Sequence, residues 1–124
     1  MECMSMTTAT RHVGFVTIVD ISGRMVFGEE SPPLNKLVSE LLNDGHTRIL
    51  LNLADVSRTD TSGLAHLVSC LVSVRKQRGE LKLLNPTEQV HAAIELTKLL
   101  TIFDIRDDEA EAVRSFGESA AANA

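Results

Sequence analysis

A nearly unbroken apolar run in the middle of the chain, Thr47 to Ala54, constrains the fold most strongly. Such a run is typical of a central strand that is covered on both faces of its sheet. Stretches with the i, i+3, i+4, i+7 rhythm of an amphipathic helix lie on either side and begin at Leu34 and Leu64. A strand between two helices implies crossover connections, so the sequence predicts parallel strands with helices packed against them.

The remaining segments extend this alternation of strand and helix patterns. Val13-Gly14 is predicted to be a hairpin turn, and Ser22-Gly23 to close the second strand, which carries Phe15, Thr17, Val19 and Ile21 on one face. Ser31 before Pro32, and Asn85 before Pro86 and Glu88, are typical helix starts. The predicted strands are 6–10, 15–21, 47–54, 81–84 and 100–105, and the predicted helices begin near 32, 64, 86 and 107 and end near 45, 79, 98 and 116.

These patterns predict an α/β fold with a mixed, mostly parallel sheet of four to five strands and about four α-helices packed against it. The 124 residues are enough for one hydrophobic core without disulfides or metal. We expect residues 1–118 to form a single domain. The small-residue segment 119–124 is predicted to be a disordered tail.

Composition excludes several classes of protein. A net charge of -5 disfavours binding to nucleic acid, and four Phe with no Trp or Tyr leave little for base stacking. No apolar run approaches the length of a membrane span, and residues 1–10 lack the pattern of a signal peptide. The two cysteines, Cys3 and Cys70, have no metal or redox spacing. We therefore expect a cytoplasmic protein with reduced thiols that does not bind nucleic acid directly and does not insert into a membrane.

The stretch Asp60-Thr61-Ser62-Gly63-Leu64 connects the predicted central strand to the next predicted helix. Its residues favour a helix N-cap, and helix capping alone can explain why Asp, Thr, Ser and Gly occur here. The same geometry presents a hydroxyl group that a kinase could phosphorylate at the positive end of a helix dipole. A phosphate would add roughly -1.5 to -2 charges beside Asp60. Its larger effect would therefore fall on a partner surface rather than on the stability of the domain.

Enzymatic readings of this stretch find little support. His66 lies four residues after Ser62, but no serine-hydrolase elbow or oxyanion-hole motif accompanies it. The acidic clusters Glu29-Glu30 and Asp107-Asp108-Glu109 each precede a helix, where carboxylates complement the dipole. For Glu29-Glu30 a second interpretation stays open, because its connecting segment can also border the Thr61 turn. The chain also lacks the glycine-rich loop that cradles nucleotide phosphates. We expect no catalytic residue, no metal site and no cofactor.

The order of elements and several local motifs resemble the STAS domain, and among STAS domains the bacterial anti-sigma factor antagonists. The similarity is carried by Ile49 to Val56 running into Asp60-Thr61-Ser62-Gly63-Leu64. It extends to Ser22-Gly23, to Gly79-Glu80-Leu81-Lys82-Leu83-Leu84, and to Ile94-Glu95-Leu96-Thr97-Lys98-Leu99. In its strand-to-helix context, the Asp-Thr-Ser-Gly motif is a strong signal of this family.

The resemblance implies a phosphorylation switch rather than an enzyme. An unphosphorylated antagonist binds an anti-sigma factor, commonly a serine/threonine kinase, and so frees a sigma factor; the kinase phosphorylates the antagonist and a phosphatase reverses this. The acceptor position corresponds to Thr61, where serine is commoner, and Ser62 is the reserve acceptor. Other departures are Ala65 in place of a frequent glycine and Arg58 in place of an apolar or aromatic residue. The predicted partner-binding residues are Asp60, Thr61, Ser62, Gly63, Leu64, Arg58, Glu29 and Glu30.

Within that set, the resemblance implies further roles for three residues. Asp60 would orient the turn, Gly63 would allow close approach of the kinase, and Leu64 would anchor the helix start. Two alternatives stay open: a STAS subunit of a lipid-trafficking ABC transporter, which Gly63-Leu64-Ala65 also fits, and a stressosome-type scaffold that self-assembles. The oligomeric state is expected to be a monomer or a weak dimer.

Overall fold

The computed structural model of the chain describes residues 7–25, 33–98 and 101–122. Five strands and four helices lie within these ranges. The strands are β1 (Thr7–Val13), β2 (Val16–Met25), β3 (Arg48–Thr59), β4 (Glu80–Leu84) and β5 (Asp104–Arg106). The helices are α1 (Pro33–Asn43), α2 (Thr61–Lys76), α3 (Glu88–Leu96) and α4 (Glu109–Ala122).

The strands form one sheet in the order β1-β2-β3-β4-β5. β1 and β2 are an antiparallel hairpin, and every later neighbour is parallel. This arrangement confirms the predicted α/β class and the mixed, mostly parallel sheet. The carboxyl ends of the parallel strands β2 to β5 therefore meet at one edge of the sheet.

The two faces of the sheet are covered unequally. The larger apolar cluster packs beneath the first three helices and includes Leu34 and Val38 of α1, Leu67 and Leu71 of α2, and Ile94 of α3. The opposite face holds a smaller cluster under α4. Its buried members are Val16, Ile18, Leu50, Leu84, Ala112 and Phe116.

The hairpin differs from the sequence prediction. β2 begins at Val16, so Phe15 does not share a strand face with Val19 and Ile21; it lies in the turn after Gly14 and is 87% exposed. Gly14 has a positive φ of 61°, and Phe15 is not among the positive-φ residues, which is the pattern of a type II′ hairpin turn. The predicted turn was placed one residue too early, and the assignment of Phe15 to the strand was wrong.

Two strands are longer than predicted because they pair with each other beyond a bulge. β2 does not close at Ser22-Gly23 but runs to Met25, which pairs with Thr59 at the end of β3. The register shifts on either side of Gly23, whose φ is 98°. A bulge with a glycine in the left-handed region lets a strand continue where the sequence reads as a turn.

Helix boundaries also differ. α2 begins at Thr61 rather than Leu64, and α3 is capped by the Thr87 side chain rather than by Asn85. Asn85 has a φ of 51°, and its N–H donates to the carbonyl oxygen of Arg106. It therefore links the carboxyl ends of β4 and β5 instead of starting a helix. α3 ends at Leu96 instead of Lys98.

The last elements are shifted along the chain. β5 spans Asp104–Arg106 rather than 100–105, and α4 begins at Glu109 and continues to Ala122, past the predicted end at Phe116. The predicted helix start at Ser31-Pro32 lies outside the described residues. The division into a domain at 1–118 and a tail at 119–124 stays a prediction. Among the described helices, none is long and apolar enough to cross a membrane.

Candidate functional site

The turn between β3 and α2 lies at the carboxyl edge of the sheet and is organised by Asp60. Asp60 has extended backbone angles and is the N-cap of α2. One carboxylate oxygen, Oδ1, accepts two hydrogen bonds of 2.8 Å, one from the backbone N–H of Gly63 and one from the hydroxyl of Ser62. This satisfies one of the unpaired N–H groups at the start of the helix and fixes the turn.

The two adjacent hydroxyl groups are in different environments. Ser62 is partly buried, and its hydroxyl is held by the Asp60 carboxylate. Thr61 is the first residue of α2, is exposed, and its side chain makes no hydrogen bond with any described residue. Of the two predicted acceptors, Thr61 therefore presents the more accessible oxygen.

Asp60 is ionised at neutral pH. Burial raises the pKa of its carboxyl, but the hydrogen bonds from Gly63 and Ser62 together lower it further, so the pKa lies below its usual value. A fixed negative charge therefore stands beside Thr61 before any modification. A phosphate on Thr61 would add to this charge rather than neutralise it.

His66 supports the turn from within α2. Its Nδ1 lies 2.7 Å from the carbonyl oxygen of Ser62, and since a carbonyl can only accept, Nδ1 carries the proton and donates. This ring nitrogen is therefore not a base for the Ser62 hydroxyl. The serine-hydrolase reading of this pair gains no geometric support.

Gly63 and Leu64 lie on the inner side of the turn. Both are buried, and Leu64 is only 3% exposed within the larger apolar cluster. The structure thus places the two residues where they fix the start of α2 to the core. Of the predicted set, Asp60, Thr61 and Ser62 form the outer side of the turn.

Arginines border the site at the ends of β2 and β3. Arg58 is exposed two residues before Asp60, and Arg24 is its register partner on β2. The Nε atom of Arg24 is buried and has no hydrogen-bond partner among the described residues. The sequence pointed to Arg58 but not to Arg24. Arg24 lies next to Arg58 only because β2 continues beyond Gly23 and pairs with the end of β3. Glu29 and Glu30 lie outside the described residues.

The second acidic cluster behaves as a helix start. The Asp108 carboxylate accepts a hydrogen bond of 3.0 Å from the Glu111 N–H at the beginning of α4. Glu109 binds Arg11 of β1 through both carboxylate oxygens. Within the described ranges, no group of three or more His, Cys, Asp or Glu side chains is arranged to hold a metal ion.

The sequence model of the STAS domain matches residues 7–112, a range that includes the whole sheet and the β3–α2 turn. The chain belongs to the STAS domain family. Asp60 to Leu64 of this STAS domain lie well inside the match. The matched range ends within α4, four residues before Phe116.

Relatives of this STAS domain include anti-sigma factor antagonists. A Thermotoga neapolitana protein, named a candidate antagonist, is 38% identical over 74 residues, which are 60% of this chain and 66% of that protein. The crystal structure of a candidate antagonist from Thermotoga maritima is 30% identical, covers 88% of this chain and 93% of its own, and superimposes with a TM-score of 0.77. The match to the first relative thus spans just under two thirds of its length.

A more distant solved structure shares the fold. SpoIIAA, an anti-sigma factor antagonist whose structure is known in unphosphorylated and phosphorylated forms, is 17% identical to this STAS domain. Its phosphorylated form, from Bacillus, covers 88% of this chain and 98% of its own with a TM-score of 0.67.

Proposed function

We propose that this STAS domain is an anti-sigma factor antagonist that works as a phosphorylation switch. In its unphosphorylated form it binds an anti-sigma factor kinase in the cytoplasm and so releases a sigma factor. Phosphorylation of Thr61 ends that binding, and a phosphatase restores it. The names of the Thermotoga relatives support the regulatory role, and the existence of a phosphorylated form of SpoIIAA supports the switch.

The observation that carries the proposal is the difference between the two hydroxyl groups after Asp60. The Ser62 hydroxyl is engaged by the carboxylate, whereas the Thr61 hydroxyl is exposed and makes no hydrogen bond with a described residue. A kinase can therefore reach Thr61 without breaking the cap of α2. Asp60 holds the turn in this shape and so acts as a positioning residue.

The switch works through charge on the partner surface. Asp60 is already ionised, and a phosphate adds roughly -1.5 to -2 charges next to it at neutral pH. A partner that packs closely against the unmodified turn must then desolvate a strongly negative group. A loss of about 3 kcal/mol in binding free energy lowers affinity by roughly a hundredfold.

The remaining predicted site residues divide by exposure. Gly63 and Leu64 are buried, so we assign them to building the turn rather than to touching the kinase. Thr61, Asp60 and Arg58 are exposed and form the contact surface together with the partly buried Ser62. Arg58 contributes a positive charge at the border of an otherwise negative turn.

The acceptor assignment is tested with the purified chain in host lysate supplied with ATP, followed by mass spectrometry of the modified peptide. We expect phosphate on Thr61 in the wild type and in Ser62→Ala, and none in Thr61→Ala. Phosphate on Ser62 in the wild type would overturn the assignment of Thr61. Absence of phosphate from all three proteins would overturn the switch.

Partner binding is tested by capturing proteins from host lysate with the wild type and with Thr61→Asp. The matched control is Ser69→Asp, which places the same charge on an exposed position two turns along α2. We expect a kinase of the anti-sigma type to bind the wild type and the control but not Thr61→Asp. Capture of a transporter ATPase instead would favour the transporter subunit, and elution as a large particle would favour the scaffold.

A further inference from the structure

The tip of the β1–β2 hairpin exposes an aromatic side chain at the end of the molecule opposite the Thr61 turn. Phe15 is 87% exposed, more than any other large apolar side chain in the described ranges. It sits at the amino end of β2, whereas Thr61 follows the carboxyl end of the parallel strand β3. Exposed aromatic groups are costly in water and often mark interaction surfaces.

An apolar cavity lies directly beside this side chain. It has a volume of about 540 Å³ and reaches between the hairpin and α4. Its lining residues are Val13, Gly14, Phe15, Val16, Arg48, Val113 and Phe116. The guanidinium of Arg48 lies 5.9 Å from the centre of the Phe15 ring and so holds one face of it. A projecting ring and a cavity large enough for a ring thus belong to one surface patch.

We propose that this patch is the interface of a symmetric homodimer, in which Phe15 of each copy inserts into the cavity of the other. A two-fold interface uses the same surface on both copies, so it must carry both the projection and the recess that receives it. The hairpin tip and its adjoining cavity meet that requirement. Phe15 would then be the central anchor residue, which is the usual role of a buried aromatic at an interface.

The charges around the patch are also self-complementary. Arg48 and Glu80 are register partners on β3 and β4. Both point to the α4 face, since Arg48 lines the cavity and Glu80 is two residues before Lys82, whose ammonium contacts the Phe116 ring. Neither has a salt bridge or a side-chain hydrogen bond with another described residue. In the dimer, Arg48 of one copy faces Glu80 of the other, twice.

The inference does not depend on the proposed switch, because the patch and the Thr61 turn lie at opposite edges of the sheet. A dimer built this way leaves both turns open to partners. The sequence leaves open whether the protein is a monomer or a weak dimer, and the proposed interface predicts a dimer.

The first test is sedimentation analysis of the purified chain over a wide concentration range. We expect the wild type to form dimers, and Phe15→Ser to weaken dimerisation by at least about tenfold because it removes the anchor. The matched control is Leu96→Ser, which removes another side chain that is 84% exposed but does not line this cavity. It should dimerise like the wild type. Thermal melting should show that both variants remain folded.

A charge exchange tests the pairing itself. Arg48→Glu alone and Glu80→Arg alone each place like charges across the two-fold axis, so each variant should be mainly monomeric. An equal mixture of the two variants should form heterodimers, because the first copy then carries only negative charge and the second only positive charge at these positions. If Arg48 and Glu80 only stabilised the fold of their own copy, mixing the two variants would not restore the dimer.

Three results would overturn the proposal. The wild type could stay monomeric up to its solubility limit. Phe15→Ser could dimerise as tightly as the wild type, which would place the interface elsewhere. Finally, the mixture of charge variants could stay monomeric although the wild type dimerises, which would exclude the proposed register of the two copies.

Discussion

Asp60 distinguishes two neighbouring hydroxyl groups by binding one of them. Its Oδ1 atom accepts from both Ser62 and Gly63, so the cap of α2 and the restraint on Ser62 come from the same atom. Thr61 lies between Asp60 and Ser62 in the sequence, but its side chain takes no part in these hydrogen bonds. The difference in accessibility between the two hydroxyl groups is therefore a result of helix capping.

We expect Asp60→Ala to lower the free energy of unfolding by about 1 kcal/mol, because removing this N-cap side chain leaves the Gly63 N–H unpaired. Urea denaturation at neutral pH measures the change. The matched control is Asp55→Ala, which removes an exposed carboxylate of β3 that has no side-chain hydrogen bond with a described residue. Equal denaturation midpoints for the two variants would show that the cap contributes nothing to stability.

At this scale the sequence predicted a cap within Asp60-Thr61-Ser62-Gly63, which the structure places at Asp60, but not the cap at Thr87. Local chemistry alone identifies an Asp-Thr-Ser-Gly cap, because all its hydrogen bonds lie within four residues. Asn85 was predicted to be a cap on the same local grounds, yet its N–H donates to the carbonyl oxygen of Arg106, which is 21 positions away in the sequence. Likewise, Phe15 is exposed because it lies in the hairpin turn. The position of that turn depends on the positive φ of Gly14, which the sequence pattern does not specify.

The junction between α2 and β4 depends on a close backbone contact at Gly79. A Cβ atom on Gly79 would clash with the carbonyl oxygen of Thr47. That oxygen also accepts a 2.8 Å hydrogen bond from the Glu80 N–H, which holds the two strands together. The contact is therefore with backbone that cannot move without breaking the β3–β4 pairing.

We expect Gly79→Ala to destabilise the fold by about 1–3 kcal/mol, the range found for overpacked sites. Gly45→Ala is the comparison, since the space around it is open and only its φ of 88° strains an alanine. The loss for Gly45→Ala should be the smaller of the two in urea denaturation. The reverse order would mean that the α2–β4 junction adjusts more easily than its geometry indicates.

α4 is held to the sheet mainly by Phe116, a fully buried side chain at the centre of the smaller apolar cluster. Phe116→Ala should cost about 3–5 kcal/mol, as for other buried aromatic residues replaced by alanine. Hydrogen exchange should increase more in α4 than in α2, because α2 packs on the opposite face. Val72→Ala, at a position 45% exposed on α2, is the control and should change neither. Equal increases in both helices would contradict separate packing of the two faces.

Helix and strand identities were predictable at this scale, whereas several of their ends were not. The apolar rhythm from Leu64 marks α2 correctly, but the helix gains its first turn from Asp60. β3 extends to Thr59 because it pairs with Arg24 and Met25, beyond a bulge that the sequence reads as a stop. The apolar periodicity of the sequence thus identifies the buried part of a helix or strand. Where the element ends depends on its hydrogen-bond partners.

A network of charged groups joins distant parts of the molecule beneath the start of α4. The Arg11 guanidinium binds Asp20 on β2 at 2.7 Å and Glu109 on α4 at 2.6 Å, and Asn52 of β3 donates to Asp20 as well. Hydrogen bonds from Arg11 hold the pKa values of Asp20 and Glu109 below their usual range. All three charged side chains are partly exposed, so solvent reduces what each pair contributes.

This network should make stability depend on pH in the acid range. Since both folded-state pKa values are lowered, its contribution is present above the ordinary carboxyl values of about 4 and is lost as pH falls through the folded values. Arg11→Met should therefore lose less stability than the wild type between neutral pH and about pH 3 in urea denaturation. Arg114→Met, an exposed cation of α4, should behave like the wild type. A parallel decline for wild type and Arg11→Met would show that the network is not linked to protonation.

The whole-molecule arrangement was only half predictable. The alternation of strands and helices indicates a parallel sheet, and the sheet was confirmed. The sequence did not indicate that three helices share one face while α4 is on the other. That choice depends on contacts such as Arg11 with Glu109, which are 98 positions apart and have no local pattern.

The strand order β1-β2-β3-β4-β5 has a consequence for synthesis on the ribosome. Each strand from β2 to β5 pairs with the strand that was made just before it. The sheet can therefore grow by addition at one edge while the chain emerges, with no strand inserted between two others and only moderate loop closure at each step. The face under α4 stays open to water until Glu109–Ala122 has been translated. A nascent chain that stalls before this point would expose Ile18, Leu50 and Leu84, and would be a substrate for chaperones.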